Sequence, residues 1–146
     1  MRDLKGIAIF YLCAALALSI CPESSAKWPG LDPTNWHVHV VNGLSGGRQL
    51  VVHCKSDVND LGIHTLGPGG DFNWHFYVNL PGTTKFTCDW RAGNRHALTD
   101  VFWREAQHMR LWTKCNWKTC FWTAKGDGIY LKDIPANRDE RVHPWE

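Results

Sequence analysis

The sequence predicts an all-β domain: a small antiparallel β-sandwich stapled by two disulfides and sent into the secretory route. Three observations predict it. From Trp36 onward, short runs alternate apolar and polar residues and are separated by glycine, proline and asparagine turns. Four cysteines, Cys54, Cys88, Cys115 and Cys120, lie among those runs. The N-terminal stretch is an uncharged apolar run that ends in small residues.

The runs can be taken in order. Trp36 to Val41 alternates, and Asn42-Gly43 with Gly46-Gly47 then marks a turn region. In Gln49 to Lys55, Leu50, Val52 and Cys54 share one face, as the two-residue period of a strand requires. Ser56 to Asp60 reads as a polar loop, and Ile63 to Leu66 as a short strand closed by Gly67-Pro68-Gly69-Gly70. Phe72, Trp74, Phe76 and Val78 fall on one face of the next run. After Pro81-Gly82, the residues Thr84, Phe86, Cys88 and Trp90 do the same. Arg91 to His96 reads as a polar loop and Leu98 to Trp103 as a strand. Glu105 to Trp112 suits a helical turn or a strand equally. Asn116 to Ala124 places Cys120, Trp122 and Ala124 together. Lys125-Gly126-Asp127-Gly128 then signals a hairpin into Ile129-Tyr130-Leu131. Lys27 to Asn35 reads as an irregular lead-in and Pro135 to Glu146 as a loose polar tail, so ordered sequence is expected over about 36–131.

Arg2 and Lys5 precede an uncharged run from Gly6 to Cys21, Pro22 breaks it, and Ser24 and Ala26 supply the small residues of a cleavage site. This is the layout of a secretory signal peptide over residues 1–26. The run is short for a membrane-crossing helix, which needs about 20 apolar residues. Cleavage after Ala26 leaves 27–146, the length of a single domain. No second apolar run follows, so the product is not expected to be integrated in a membrane.

The formal net charge of +2 is too small to argue for nucleic acid. The chain contains no Asn-x-Ser/Thr sequon. Nine tryptophans exceed what a small domain readily buries, so some are expected to face solvent or a partner. Trp74, Trp90 and Trp122 align with core faces, whereas Trp112 and Trp117 align with none and are the surface candidates.

An even number of cysteines in a small secreted chain reads as disulfides rather than zinc ligands, because Cys115 and Cys120 lack the C-x2-C spacing. Three pairings are open. A nested pairing, Cys54–Cys120 with Cys88–Cys115, is expected, because Cys54 and Cys120 sit mid-strand on core faces and Cys115 sits at a strand edge.

No catalytic constellation emerges. There is no G-x-S-x-G elbow and no H-E-x-x-H helix. The carboxylates show no spacing that singles out a glycosidase pair. His53 neighbours Cys54 but points to the opposite strand face, out of reach for a nucleophile–base pair. The Gly67–Gly70 stretch lacks the lysine and helix of a phosphate loop. His37 and His39 share a strand face and could bind zinc with a third ligand, yet two solvent-facing strand histidines is the simpler reading. No enzyme, cofactor or metal is expected.

One ordered set of motifs runs through almost the whole mature stretch. It comprises Val38-His39-Val40-Val41-Asn42-Gly43-Leu44, Leu50-Val51-Val52-His53-Cys54-Lys55-Ser56 and Asp60-Leu61-Gly62-Ile63-His64-Thr65-Leu66. There follow Phe72-Asn73-Trp74-His75-Phe76, Gly82-Thr83-Thr84-Lys85-Phe86, Cys88-Asp89-Trp90, Asp100-Val101-Phe102, Cys115 and Cys120-Phe121-Trp122. In this order the set resembles the plant self-incompatibility S1 family, the S-protein homologues. The resemblance implies a secreted β-sandwich with two disulfides. It also implies a signalling role, since poppy members are secreted by the stigma, bind a pollen membrane receptor and trigger rejection through calcium. Two positions depart from the family pattern. Lys114 stands where an acidic residue is frequent, and Asp57-Val58-Asn59-Asp60 replaces a strongly acidic loop.

The expected function is therefore a secreted, non-enzymatic ligand for a cell-surface receptor. The rival is a lectin-like or defence protein that binds cell-wall glycan or membrane. Recognition in a sandwich falls to its end loops. The candidate partner-binding stretches are Asp57 to Leu61, Arg91 to His96 and Arg110 to Asn116, with Asp57, Asp60, Arg91, Arg95, Arg110 and Trp112 as the named candidates.

Overall fold

The structure, a computed structural model, describes residues 35–79, 81–104 and 110–146. The signal peptide expected over 1–26, the expected lead-in as far as residue 34 and residues 105–109 of the stretch that suits helix or strand lie outside the described residues.

Among the described residues, nine strands and one short helix follow one another: β1 (Asn35–Asn42), β2 (Leu50–Lys55), β3 (Asp60–Leu66), β4 (Asp71–Tyr77), β5 (Phe86–Ala92), β6 (Arg95–Phe102), α1 (Arg110–Lys114), β7 (Thr119–Lys125), β8 (Gly128–Asp133) and β9 (Arg138–Pro144). They form a five-stranded sheet in the order β4-β1-β7-β8-β9 and a four-stranded sheet in the order β3-β2-β5-β6. All paired strands run antiparallel except β1 and β7, which run parallel with His37 beside Thr119 and Val41 beside Thr123.

The alternation seen in sequence becomes the core. Trp36, Val38, Val40 and Asn42 of β1 point inward, as do Leu50, Val52 and Cys54 of β2 and Cys120, Trp122 and Ala124 of β7. Three fully buried indoles anchor it. Two of them satisfy their N–H groups inside, Trp90 Nε1 donating to Thr99 Oγ1 at 2.9 Å and Trp122 Nε1 to the Val101 carbonyl at 3.0 Å. A buried indole keeps its large apolar contact at no polar cost only when its N–H is paired in this way. Gly126-Asp127 makes the predicted hairpin between β7 and β8.

The structure corrects three expectations. The disulfides are Cys54–Cys88 and Cys115–Cys120, not the nested pair. Periodicity tells which face a cysteine occupies but not which strand lies beside it. Here β2 and β5 are neighbours in one sheet, and Cys54 faces Cys88 directly with their Cα atoms 4.0 Å apart. The tail is not loose: Arg138–Pro144 forms β9, an edge strand on β8. Its main-chain bonds to β8 need no apolar alternation, and Pro144 stands at its end, where a missing donor is tolerated. Arg91 to His96 is no loop either. Arg91 and Ala92 close β5, Arg95 and His96 open β6, and only Gly93-Asn94 turns.

Candidate interaction surface

At one end of the sandwich, α1 stops after five residues and the chain reverses into β7. The stop has a definite chemistry. The Trp117 N–H reaches the Trp112 carbonyl at 2.8 Å, and the Asn116 N–H reaches the Thr113 carbonyl at 3.3 Å. Asn116 adopts a left-handed φ of 47°. These paired bonds around a left-handed asparagine form a Schellman C-cap, which satisfies the last helical carbonyls. The next residue departs from the usual pattern, because Trp117 also has a positive φ, of 79°. A bulky residue there is strained by about 1–2 kcal/mol. The Cys115–Cys120 disulfide closes the turn, with Cα atoms 4.5 Å apart.

The result is a tryptophan held out from the protein. Trp117 is 61% exposed. Its ring meets Trp112 edge-on at 5.2 Å, and Trp112 meets the buried Trp36 edge-on at 5.3 Å. Trp36 in turn packs on Phe102 at 4.9 Å. A chain of rings thus runs from the core to the surface and fixes the outermost one.

Cations surround this end. Lys114, Arg110 and Arg138 all lie against one carboxylate, Glu140. Burial, and next the charge of Arg110, lower the Lys114 pKa below its ordinary value. Lys118 is exposed beside Trp117. Glu140, and Asp133 acting on Lys114, are fewer than the cations Arg110, Lys114, Lys118 and Arg138 at this turn, so among the described residues cations predominate there.

The other nominated residues are not gathered at this turn. Asp60 opens β3, where its Oδ1 accepts from the Gly62 N–H at 2.8 Å and lies 2.7 Å from His53 Nε2. Asp57 is exposed in the β2–β3 connection. Arg91 pairs with Asp89 on the outer face of the four-stranded sheet, and Arg95 donates to the Gly126 carbonyl, locking the β5–β6 hairpin to the β7–β8 hairpin. Lys55 pairs with Thr87 and Val51 with Arg91, so the acidic connection and the basic hairpin lie at opposite ends of their sheet. Of the two surface tryptophans, Trp112 is half-buried and Trp117 exposed.

Among the described residues, one open depression is lined by Val51, His53, Ile63, Asp89 and Arg91 and another by Leu98, Thr99, Asp100, Trp103, Val142 and His143. Among the described residues no helix is long and apolar enough to cross a membrane.

Comparison with known proteins agrees with this architecture. The sequence pattern described as plant self-incompatibility protein S1 matches residues 37–145. S-protein homolog 1 of Arabidopsis thaliana is 40% identical over 113 residues, covering 77% of this chain and 73% of its own. S-protein homolog 74 of the same plant is 38% identical over the same shares. A solved self-incompatibility protein homologue, from a family described as small, highly stable, secreted plant proteins, superposes with a TM-score of 0.61. It is 21% identical and covers 80% of this chain and 99% of its own.

Proposed function

This chain belongs to the plant self-incompatibility S1 family of small secreted proteins, and from that premise we propose that it is a non-enzymatic signalling ligand for a receptor protein on a cell surface. Trp117 carries the reading. The fold accepts a strained backbone to expose a large aromatic ring, and a disulfide and a stack of rings hold it there. Interface hot spots favour tryptophan and arginine, and a ring fixed before binding loses little entropy when it docks. The positive rim of Arg110, Lys114 and Lys118 favours an acidic receptor surface.

The test is saturable binding of labelled protein to plasma-membrane vesicles from the producing plant. Binding is expected to vanish after protease treatment of the vesicles. Trp117→Ala is expected to weaken it by about tenfold or more. Thermal unfolding checks that the variant folds. Binding that survives protease and is competed by cell-wall polysaccharide would establish the glycan-binding rival instead.

A further inference from the structure

On the outer face of the five-stranded sheet, where His37 pairs beside Thr119 at the start of β7, three imidazoles lie together. His37 and His39 are two residues apart on β1, so they share a face. The antiparallel register with β4 sets His75 directly opposite His37. The rings touch: His37 and His75 stack with centroids 3.7 Å apart, and His37 and His39 are 4.0 Å apart. Phe121 of β7 stacks on the far side of His39 at 4.4 Å. The sequence alone offered the His37–His39 pair without a third ligand; the β1–β4 pairing supplies it.

The hydrogen bonds around these rings decide which nitrogens are free. His39 Nδ1 lies 2.8 Å from Asp71 Oδ2. A carboxylate only accepts, so Nδ1 carries the proton and Nε2 keeps its lone pair when the ring is neutral. Asn73 Nδ2 donates to Asp71 Oδ1 at 3.1 Å, which turns the Asn73 oxygen toward His37. That oxygen accepts from His37 Nε2 at 2.8 Å and leaves His37 Nδ1 as the free lone pair. A single carboxylate thus sets the tautomers of two neighbouring imidazoles, one directly and one through an amide. His75 makes no side-chain hydrogen bond among the described residues, so both its nitrogens are available. A carboxylate that orients an imidazole through its other nitrogen is the usual outer partner of a metal-ligating histidine.

We infer that His37, His39 and His75 form a binding site for one divalent transition-metal ion of the kind imidazole suits, zinc or copper. The inference is independent of the receptor reading. In the structure the rings are stacked, and among the described residues no three His, Cys, Asp or Glu side chains already converge on a point. Binding requires the rings to unstack. Two imidazoles bound to one zinc at about 2.0 Å hold their donor nitrogens about 3.3 Å apart. The ring centroids of the His37–His75 and His37–His39 pairs stand 3.7 and 4.0 Å apart, and stacked rings aim their lone pairs side by side, so binding requires side-chain rotations that tilt all three rings out of the stack and turn one nitrogen of each toward a common point. Asp71 stays on His39 throughout, and the fourth position faces solvent.

The test uses untagged secreted protein with both disulfides formed, titrated calorimetrically with zinc chloride near neutral pH. One ion per chain with micromolar affinity is expected. His75→Asn and His37→Asn should each lower the affinity at least about tenfold, and Asp71→Asn by about tenfold through its hold on His39. The double variant His53→Asn with His96→Asn, on the other sheet, should bind like wild type. Thermal unfolding checks that every variant folds. Copper(II), which is paramagnetic, should selectively broaden the imidazole resonances of His37, His39 and His75. No saturable binding below millimolar zinc, or binding that persists in a folded His37→Asn/His75→Asn variant, overturns the site.

Discussion

The side chain of Asn42, on β1, donates from Nδ2 to the carbonyl of Leu66, at the end of β3, at 2.9 Å, and so ties the two sheets together. The same nitrogen donates to the Arg48 carbonyl at 2.9 Å, and Oδ1 accepts from the Leu44 N–H at 2.9 Å. The residue is 1% exposed, so nothing but these partners satisfies it. Asn42→Leu, close in size, would leave two carbonyls and an N–H without their partner. It is expected to cost about 3 kcal/mol in urea unfolding. A loss under about 1 kcal/mol would mean that water replaces the amide.

The two disulfides should differ in worth. Cys54–Cys88 spans 34 residues and Cys115–Cys120 spans 5. The chain-entropy account assigns them about 4 and about 2 kcal/mol. Cys54→Ala with Cys88→Ala should therefore destabilise more than Cys115→Ala with Cys120→Ala in guanidinium unfolding, and the second pair should chiefly weaken partner binding. A non-reduced peptide map containing Cys54 linked to Cys120 would contradict both pairings.

Gly128 opens β8 with a φ of 153°, and a Cβ there would lie 2.3 Å from the His143 carbonyl oxygen. The obstacle is backbone, so β9 itself must shift. Gly128→Ala is expected to cost about 2 kcal/mol. Amide hydrogen exchange should show β9 losing protection while β2 and β5 keep theirs. Unchanged protection of β9 would show that the strand accommodates the methyl group.

Acid should weaken the β2–β3 connection. The Gly62 N–H, and next the His53 side chain, hold the Asp60 carboxyl below its ordinary 3.8. The Tyr130 hydroxyl acts likewise on Asp127. A carboxyl whose pKa is lowered in the fold contributes stability above its unfolded value, and that contribution disappears as pH falls through the folded value. Melting temperature should drop from about pH 5 to about pH 2, and Asp60→Asn with Asp127→Asn should flatten that slope. A double variant with an unaltered acid limb would place the transition in other carboxylates.

The strands with an apolar face were legible in the sequence, because a two-residue period reports directly on burial. Trp36, Val38 and Val40, or Cys120, Trp122 and Ala124, could be assigned to the core residue by residue. What periodicity cannot carry is adjacency. That β2 lies beside β5, and so that Cys54 meets Cys88, is a property of the sheet order. Strand β9 escaped notice because its bonds are main-chain bonds and its side chains are mostly charged. The surface showed the same divide. Arg110 and Trp112 are nominated from residue type, and Trp117 is expected at the surface because it aligns with no core face, but the left-handed turn that presents it is not announced by the motif Cys-Asn-Trp. His75 likewise joined the histidine pair only through register.

The parallel pairing of β1 with β7 has a consequence for the order in which the molecule is made. Synthesis delivers β1 first, but β7 comes after every strand of the four-stranded sheet has been completed. That sheet is built from neighbours in antiparallel register and can close early, sealed by Cys54–Cys88. Strand β1 meanwhile can pair with β4 alone, with one flank unoccupied and Trp36, Val38 and Val40 seeking cover. Long-range pairings of this kind are slow to form and leave apolar surface open in the interval. The C-terminal third of the chain thus pairs with a strand translated long before it, and a ribosome-stalled or truncated product lacking β7 would display an open sheet edge to every other nascent copy in the secretory pathway.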